Sequence, residues 1–410
     1  MKPVCNRFRL GAVAAAIALI LPVDVLADAA YDALKSQVEA LQKQLQQVQE
    51  TLKQYEQQAA SKEEVEELKE EVAQASVDSS EWKNVDSVVH LACYGDVTYS
   101  GGQGDDNNNR FSGARFNPIF HYQYKDLLML EAEMEVQVEE DGGTSTALEY
   151  MTVDLFVNDY LAMVTGKFLS PLGQFRQNLH PSWINKLPTA PSGFGHDQAA
   201  PVSEMGLQAR GGYPVGDMHM NYAAYVGNGP ILEIEDGEIE AVEAEGRTSN
   251  DDDKFVFGGR LGLIPWPNSE VGVSLATGKA AGEDELSATR DYDVYGADFG
   301  YKWRNLGLRS EYITQKVGSS SQSVAPGSAR WDAWYAQAAY RFMPTKFEGV
   351  VRYADYDANL DESDQKQWAL GVNYLFAPNA MAKLAYNFND GESGSTADDD
   401  GFQVQFTYGF

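Results

Sequence analysis

From residue 88 to the C-terminus the chain alternates apolar and polar residues with a period of two, and its connections alternate short with long. Short turns fall at Lys125-Asp126, Asn158-Asp159, 214–217, 265–268, Arg304-Asn305, 343–345 and 377–379. Between them run long connections rich in Asp, Gly and Ser at 100–110, 139–146, 169–203, 228–253, 278–289, 318–329, 357–365 and 389–400. Seven turns and eight loops join sixteen strands, an even number that leaves both termini on the turn side. Each strand has about 9–14 residues, enough to cross a bilayer at a tilt. The last one carries Phe402, Val404, Phe406, Tyr408 and Phe410 on one face and Gln403, Gln405, Thr407 and Gly409 on the other. An aromatic-rich face backed by Gln, Asn, Arg, Glu and Gly suits lipid outside and water inside. The expected fold is an all-β transmembrane barrel of about 16 antiparallel strands over 88–410, with short periplasmic turns and long extracellular loops.

Composition removes the competing classes. Among 410 residues, 61 are acidic and 31 basic, for a net charge of −30, which excludes a nucleic-acid binder. Mean hydropathy is −0.39. Beyond the N-terminus no apolar run approaches the ~18 residues of a membrane helix, whereas a barrel averages its apolar and polar faces. Two Cys allow neither a disulfide framework nor a Cys-based zinc site.

The N-terminus reads as an export address. Lys2, Arg7 and Arg9 precede an apolar stretch, and Val25-Leu26-Ala27 supplies small residues for cleavage after Ala27, with Ala29 the alternative. Cys5 leaves with this signal peptide (1–27). The remaining Cys93 shares a face with Val89, Leu91 and Val97. Leu34, Val38, Leu41, Leu45, Val48, Leu52 and Tyr55 then form a heptad seam. A capping box at Ser61–Glu64 restarts the helix in a new phase. Residues 28–75 are therefore expected as a coiled coil that needs partners to bury its stripe, joined by a polar linker (76–87) to the barrel.

Alternation assigns the lumen. Arg115, Asn117 and His121 face inward on the second strand, and Glu131, Glu133 and Glu135 form an inward ladder on the third. Glu204, Gln208, Arg210 and Arg260 also face inward. The same reasoning places Lys167, Asp298, Lys302, Arg309, Glu311, Arg341, Glu348, Arg352 and Lys383 inside. Rings of charge set ion preference in pores, although solvation or pairing with Arg115 explains the glutamate ladder equally well. The connection 169–203 holds Arg176, His180, Lys186 and His196 among five prolines. Prolines stiffen an irregular segment and suit a fixed constriction. Its basic side chains would either meet an anionic or zwitterionic solute or pin the loop to the wall, with Trp183 and Phe194 packing inward. The connection 228–253 carries ten acidic residues and reads as a solvated outer surface. No nucleophile, metal-ligand or phosphate-loop motif occurs, so no enzyme, metal or cofactor is expected.

The segment Gly166-Lys167-Phe168-Leu169-Ser170-Pro171-Leu172-Gly173 resembles the strand–loop junction of the phosphate-selective porin O/P family. The coiled-coil prefix resembles that of some sugar and dicarboxylate porins. This resemblance implies a passive outer-membrane pore for small hydrophilic solutes or ions, anions among them, narrowed by loop 169–203. It also implies a homotrimer with its coiled coil in the periplasm. The chain departs from the phosphate porins in charge, being acidic where they are basic. Two other readings compete: a structural anchor whose coiled coil tethers the membrane to the cell wall, and a barrel hydrolase.

Overall fold

Strands dominate the computed structural model, which describes residues 39, 42–44, 46, 47, 50, 87–103, 109–250, 253–282 and 288–410. The chain divides into two compact units, Met1–Asn84 and Val85–Phe410. In the first, residues 39, 42–44, 46, 47 and 50 are helical and exposed; the rest of the expected signal peptide, coiled coil and linker lies outside the described residues.

The second unit begins with β1 (Ser87–Gly102), β2 (Arg110–Tyr124), β3 (Leu128–Val138), β4 (Thr144–Asn158), β5 (Leu161–Leu169), β6 (Ser203–Val215) and β7 (Met218–Gly227). A hairpin follows, β8 (Ile231–Glu235) and β9 (Glu238–Glu243). Then come β10 (Val256–Ile264), β11 (Ser269–Gly282), β12 (Arg290–Trp303), β13 (Leu306–Val317) and β14 (Ala329–Arg341). The series ends with β15 (Phe347–Asp357), β16 (Gln365–Ala377), β17 (Ala380–Gly391) and β18 (Gly401–Gly409). Apart from β8 and β9, each strand pairs antiparallel with the next. β7 pairs with β10 through Gly227↔Val256, and β18 returns to β1 through Gly409↔Tyr94. The result is a closed sixteen-strand antiparallel barrel, and closure satisfies every edge that a sheet would otherwise expose. Tight turns close its short end, where Lys125, Asn268 and Arg304 take φ of 51°, 63° and 53°. Primed hairpin turns require that left-handed region.

The outward rows are apolar and exposed, with Leu91, Met151, Leu207, Phe257, Trp334 and Phe406 among them. Such a continuous apolar band is unfavourable in water and matches lipid. Aromatic side chains run from strand to strand across it, Trp334 to Tyr353 at 5.3 Å and Tyr353 to Trp368 at 4.9 Å.

Three sequence expectations need correction. The acidic connection 228–253 is not simply a solvated loop. Ile231, Leu232, Ile239 and Val242 are buried, so its acidic residues face out of a hairpin whose apolar face packs down. That hairpin touches the wall in parallel, Ile231 and Leu232 opposite Ala281 and Gly282 of β11. Second, the inward face is not polar throughout. Near the loop ends of β11–β15, Ala280, Tyr292, Val294, Val317, Trp331 and Tyr356 point in and are buried in one apolar cluster. Third, Lys167 does not face the lumen. It pairs with Met151 and Met205, which share the outward row with Leu207. A lysine near a strand end tolerates this because its long stem lies along apolar surface and its ammonium reaches polar surroundings.

Candidate functional site

The apolar inner wall has a partner within the barrel. After β5 the chain turns inward at Ser170, whose N–H donates to the Val202 carbonyl at 2.9 Å, so the two ends of the segment 170–202 are tied together. Phe175–Leu179 makes a single wide helical turn, and the His180 ring bonds back to the Arg176 carbonyl. Prolines at 171, 181, 188, 191 and 201 fix the remaining path. Leu172, Phe175 and Phe194 on one side join Leu232, Ile239 and Val242 of the hairpin and the apolar wall in a single core. Phe194 is fully buried, edge-on to Tyr335 at 5.1 Å.

Polar anchors carry the loop around the barrel. The N–H of Gly173 donates to Ser274 Oγ at 3.0 Å on β11, and that of Phe175 to Glu311 Oε2 at 3.1 Å on β13. Ser182 Oγ meets Thr407 Oγ1 at 2.9 Å on β18. Lys383 Nζ donates to the Ser182 carbonyl at 2.5 Å, and Asn373 Nδ2 to the Lys186 carbonyl at 2.9 Å. Arg352 donates to the Thr189 and Ala190 carbonyls at 3.0 and 2.9 Å. The segment thus contacts opposite walls.

The candidate residues divide accordingly. Arg352 is not a pore-lining charge; its guanidinium is consumed by loop carbonyls. Lys186 pairs with Glu348 at 3.2 Å, and His196 with Glu245 beyond the hairpin. That bond holds the His196 imidazole above its ordinary pKa and the Glu245 carboxyl below its own. Arg176 is 7% exposed, and burial pulls its guanidinium down from its ordinary value. Arg115 joins Asp96 at 3.2 Å and Glu135 at 3.6 Å, Glu131 meets His121 at 3.5 Å, and Arg210 pairs with Asp154. Glu133 is 2% exposed and accepts from Tyr94 Oη at 2.6 Å and Asn117 Nδ2 at 3.3 Å, with His180 Nε2 4.0 Å away. The glutamate ladder is therefore a bonded network. Arg260 joins Asp298 at 2.6 Å and Glu270 at 2.9 Å. Arg309 is exposed to the interior and makes no ion pair among the described residues.

Charge is sorted by wall. β1–β4 carry Asp96, Glu131, Glu133, Glu135, Glu149 and Asp154 against Arg115. β12–β15, on the far side of the ring, carry Arg290, Lys302, Arg309, Arg341 and the loop-bound Arg352 against Asp298, Glu311 and Glu348. Two spaces open on the turn side of the inner loop. One of about 970 Å³ is lined by Lys302, Arg309, Arg341 and Glu311. The other, about 450 Å³, is lined by Asn158, Tyr160, Arg210 and Tyr222, and both include Gln174, Asn178 and Glu270. Sequence reasoning missed Lys383 and Asn373 as anchors, because only the path of the loop gives them that role. It also missed Glu149, the extra residue of a bulge on β4 where Tyr150 pairs with Glu133 and Leu148 with Met134.

Residues 266–410 match the family model described as Gram-negative porin. The barrel superposes on OmpF of Salmonella typhi, solved with daunomycin, with a TM-score of 0.57 at 15% identity, covering 79% of this chain and 98% of that one. An anion-selective porin from Comamonas acidovorans gives 0.55 at 16% identity, covering 79% and 100%. The outer membrane channel DcaP of Acinetobacter baumannii gives 0.54 at 11% identity, covering 80% and 98%. This is the porin fold. At these identities the likeness is one of architecture. No curated protein matches the chain by sequence.

Proposed function

We propose that the chain is an outer-membrane porin through which small hydrophilic solutes and ions diffuse passively, with anions favoured on the turn side of the inner loop. The observation that carries this is the 970 Å³ space lined by Lys302, Arg309 and Arg341, which make no ion pairs among the described residues. Acidic neighbours there are occupied: Asp298 and Glu270 by Arg260, Glu348 by Lys186, and Glu311 by the backbone N–H of Phe175. Cations left over raise the local concentration of anions. The loop 169–203 acts as the constriction, since its anchors reach several walls. In the usual orientation of outer-membrane barrels, that space opens to the periplasm.

Residues 28–75 form a periplasmic coiled coil that holds three copies together. OmpT of Vibrio cholerae, which shares the fold with a TM-score of 0.51 at 14% identity, is described in a trimer form. The likeness of 166–173 to phosphate-selective porins makes inorganic phosphate the first anion to try. Polar anchors inside the lumen favour a channel over a pure tether, which could fill the same volume with apolar side chains. Proteoliposome swelling tests the reading. Uncharged sugars of increasing size should enter until a sharp cut-off, and phosphate should enter faster than a cation of similar size. Liposomes that stay impermeable to the smallest sugar would refute it.

A further inference from the structure

His90 on β1 and His121 on β2 stand directly opposite each other in the strand register, and Glu131 on β3 continues the same row. All three point inward, on the rows of Tyr94, Asn117 and Glu133, near the turn between β2 and β3. The imidazoles meet edge to edge. Nδ1 faces Nδ1 at 3.4 Å, with the rings 8° from parallel and their centroids 5.7 Å apart. That separation is long for a hydrogen bond, usually about 2.7–3.2 Å. It matches the span of two metal–nitrogen bonds of about 2.0–2.1 Å opening at a tetrahedral angle. Glu131 Oε2 lies 3.5 Å from the other nitrogen of His121, Nε2. A ligating histidine commonly donates its second N–H to a carboxylate, which fixes the tautomer and strengthens the ligand. Here that bond leaves Nδ1 of His121 as the bare nitrogen turned toward His90.

Both rings are accessible, His90 exposed and His121 half-buried, so an ion in the lumen reaches them. A small rotation of each ring brings both lone pairs onto one vertex. The wall formed by β1–β4 is acidic, and an acidic wall concentrates cations. Imidazole suits Zn²⁺ and Cu²⁺, whereas Mg²⁺ and Ca²⁺ prefer oxygen ligands. Among the described residues no three metal-ligating side chains converge, so two nitrogens would hold the ion and water would complete its shell. We infer that His90 and His121 form a two-imidazole site for a divalent cation of the Zn²⁺ and Cu²⁺ class on the turn-side inner wall, with Glu131 positioning His121. The ligands are 31 residues apart and meet only through strand register, so no sequence motif marks them.

The test is titration of the tag-free full chain in detergent with Cu²⁺, followed by electron paramagnetic resonance. The spectrum should show copper coupled to two imidazole nitrogens, displaced by Zn²⁺ and not by Mg²⁺. Glu131→Gln should weaken binding by roughly tenfold, the lower end for a carboxylate behind a ligand. His90→Gln and His121→Gln should each weaken it further and leave a single coupled nitrogen, whereas His219→Gln, exposed on β7, should change neither. Heat-modifiable migration on gels verifies that each variant is a folded barrel. Coupling to fewer than two nitrogens in the folded wild type would overturn the site. So would an affinity unchanged in both His90→Gln and His121→Gln, or a signal lost in Cys93→Ser instead. The readout needs no current, so a folded barrel that binds copper but does not conduct would remove the porin reading and leave the metal site standing.

Discussion

Lys383 on β17 donates its ammonium to the backbone carbonyl of Ser182 at 2.5 Å, and to Gln405 Oε1 at 2.8 Å. The lysine is 1% exposed and has no carboxylate partner among the described residues. A buried charge is being used to hold a loop, and its replacement by Met of similar length leaves the Ser182 carbonyl without its donor. Lys383→Met should lower the local opening free energy of residues 181–188 by about 1–3 kcal/mol. Amide exchange in that stretch should accelerate accordingly, and channel current should become noisier. Exchange unchanged from wild type would mean that the contact does not hold the loop.

The apolar side of the loop makes a separate prediction. Gly193 has φ of +84°, and a Cβ there would come within 2.2 Å of Ala333 Cβ, so Gly193→Ala must shift the loop away from β14. Phe194→Ala removes a fully buried ring from the same core, a change that costs about 3–5 kcal/mol in well-packed sites. Both variants should raise single-channel conductance by releasing the segment from the wall. Conductance equal to wild type in both, with the barrel folded, would show that the core does not set the pore.

His196 and Glu245 tie the inner loop to the segment after β9, and their titration predicts a pH window. His196 is raised by its bond to Glu245, so its contribution is complete below 6.5 and fades as pH rises through the higher folded value. Glu245 is lowered by the same bond, so its contribution is complete above 4.5 and fades as pH falls through the lower folded value. Docking of the hairpin should be firmest between about 4.5 and 6.5. Arg176 and Asp197 share the neighbourhood and make the effect small, as does the solvent exposure of both partners. Protection of hairpin amides should peak in that window and lose its pH dependence in His196→Ala; a profile identical in the variant would rule the pair out.

Neutralising the turn-side cations tests ion preference. A unit charge about 8 Å from a passing ion contributes roughly 0.5 kcal/mol in water, or about twofold in local concentration, before salt screening. Lys302→Gln, Arg309→Gln and Arg341→Gln should each move the reversal potential in a KCl gradient toward the cation value, and the triple variant most. A shift toward anions would contradict the charge map.

Much of the architecture was legible because membrane barrels punctuate themselves. The alternation in Phe402–Phe410 and the two-residue turn at Arg304-Asn305 follow from backbone geometry that any such strand must obey. The hairpin β8–β9 was hidden by its own acidic residues. Ile231, Leu232, Ile239 and Val242 lie among ten carboxylates that dominate composition, yet they have the spacing of a buried face. The apolar inner wall was hidden for the opposite reason. Inward Tyr292, Val294 and Trp331 alternate with Asp291, Asp293, Arg330 and Asp332 on the other row, so near the loop ends the polarity of the two faces is the reverse of the lipid-out, water-in pattern. Lys167 was misplaced because a charge was read as a mark of the lumen. Strand register, set by Met151 and Met205, outweighed it near the strand end. The anchors of the inner loop, Lys383 and Arg352, were identified as inward but not as bound, since a loop's path depends on contacts that its composition does not encode.

The central claim is that a water-filled path persists beside the crossing segment 170–202. Single-channel recording of the purified full chain in a planar bilayer tests this most directly. The account predicts discrete, ohmic current steps in KCl, arriving in threes, with a reversal potential on the anion side. A folded, inserted barrel that carries no current would contradict it.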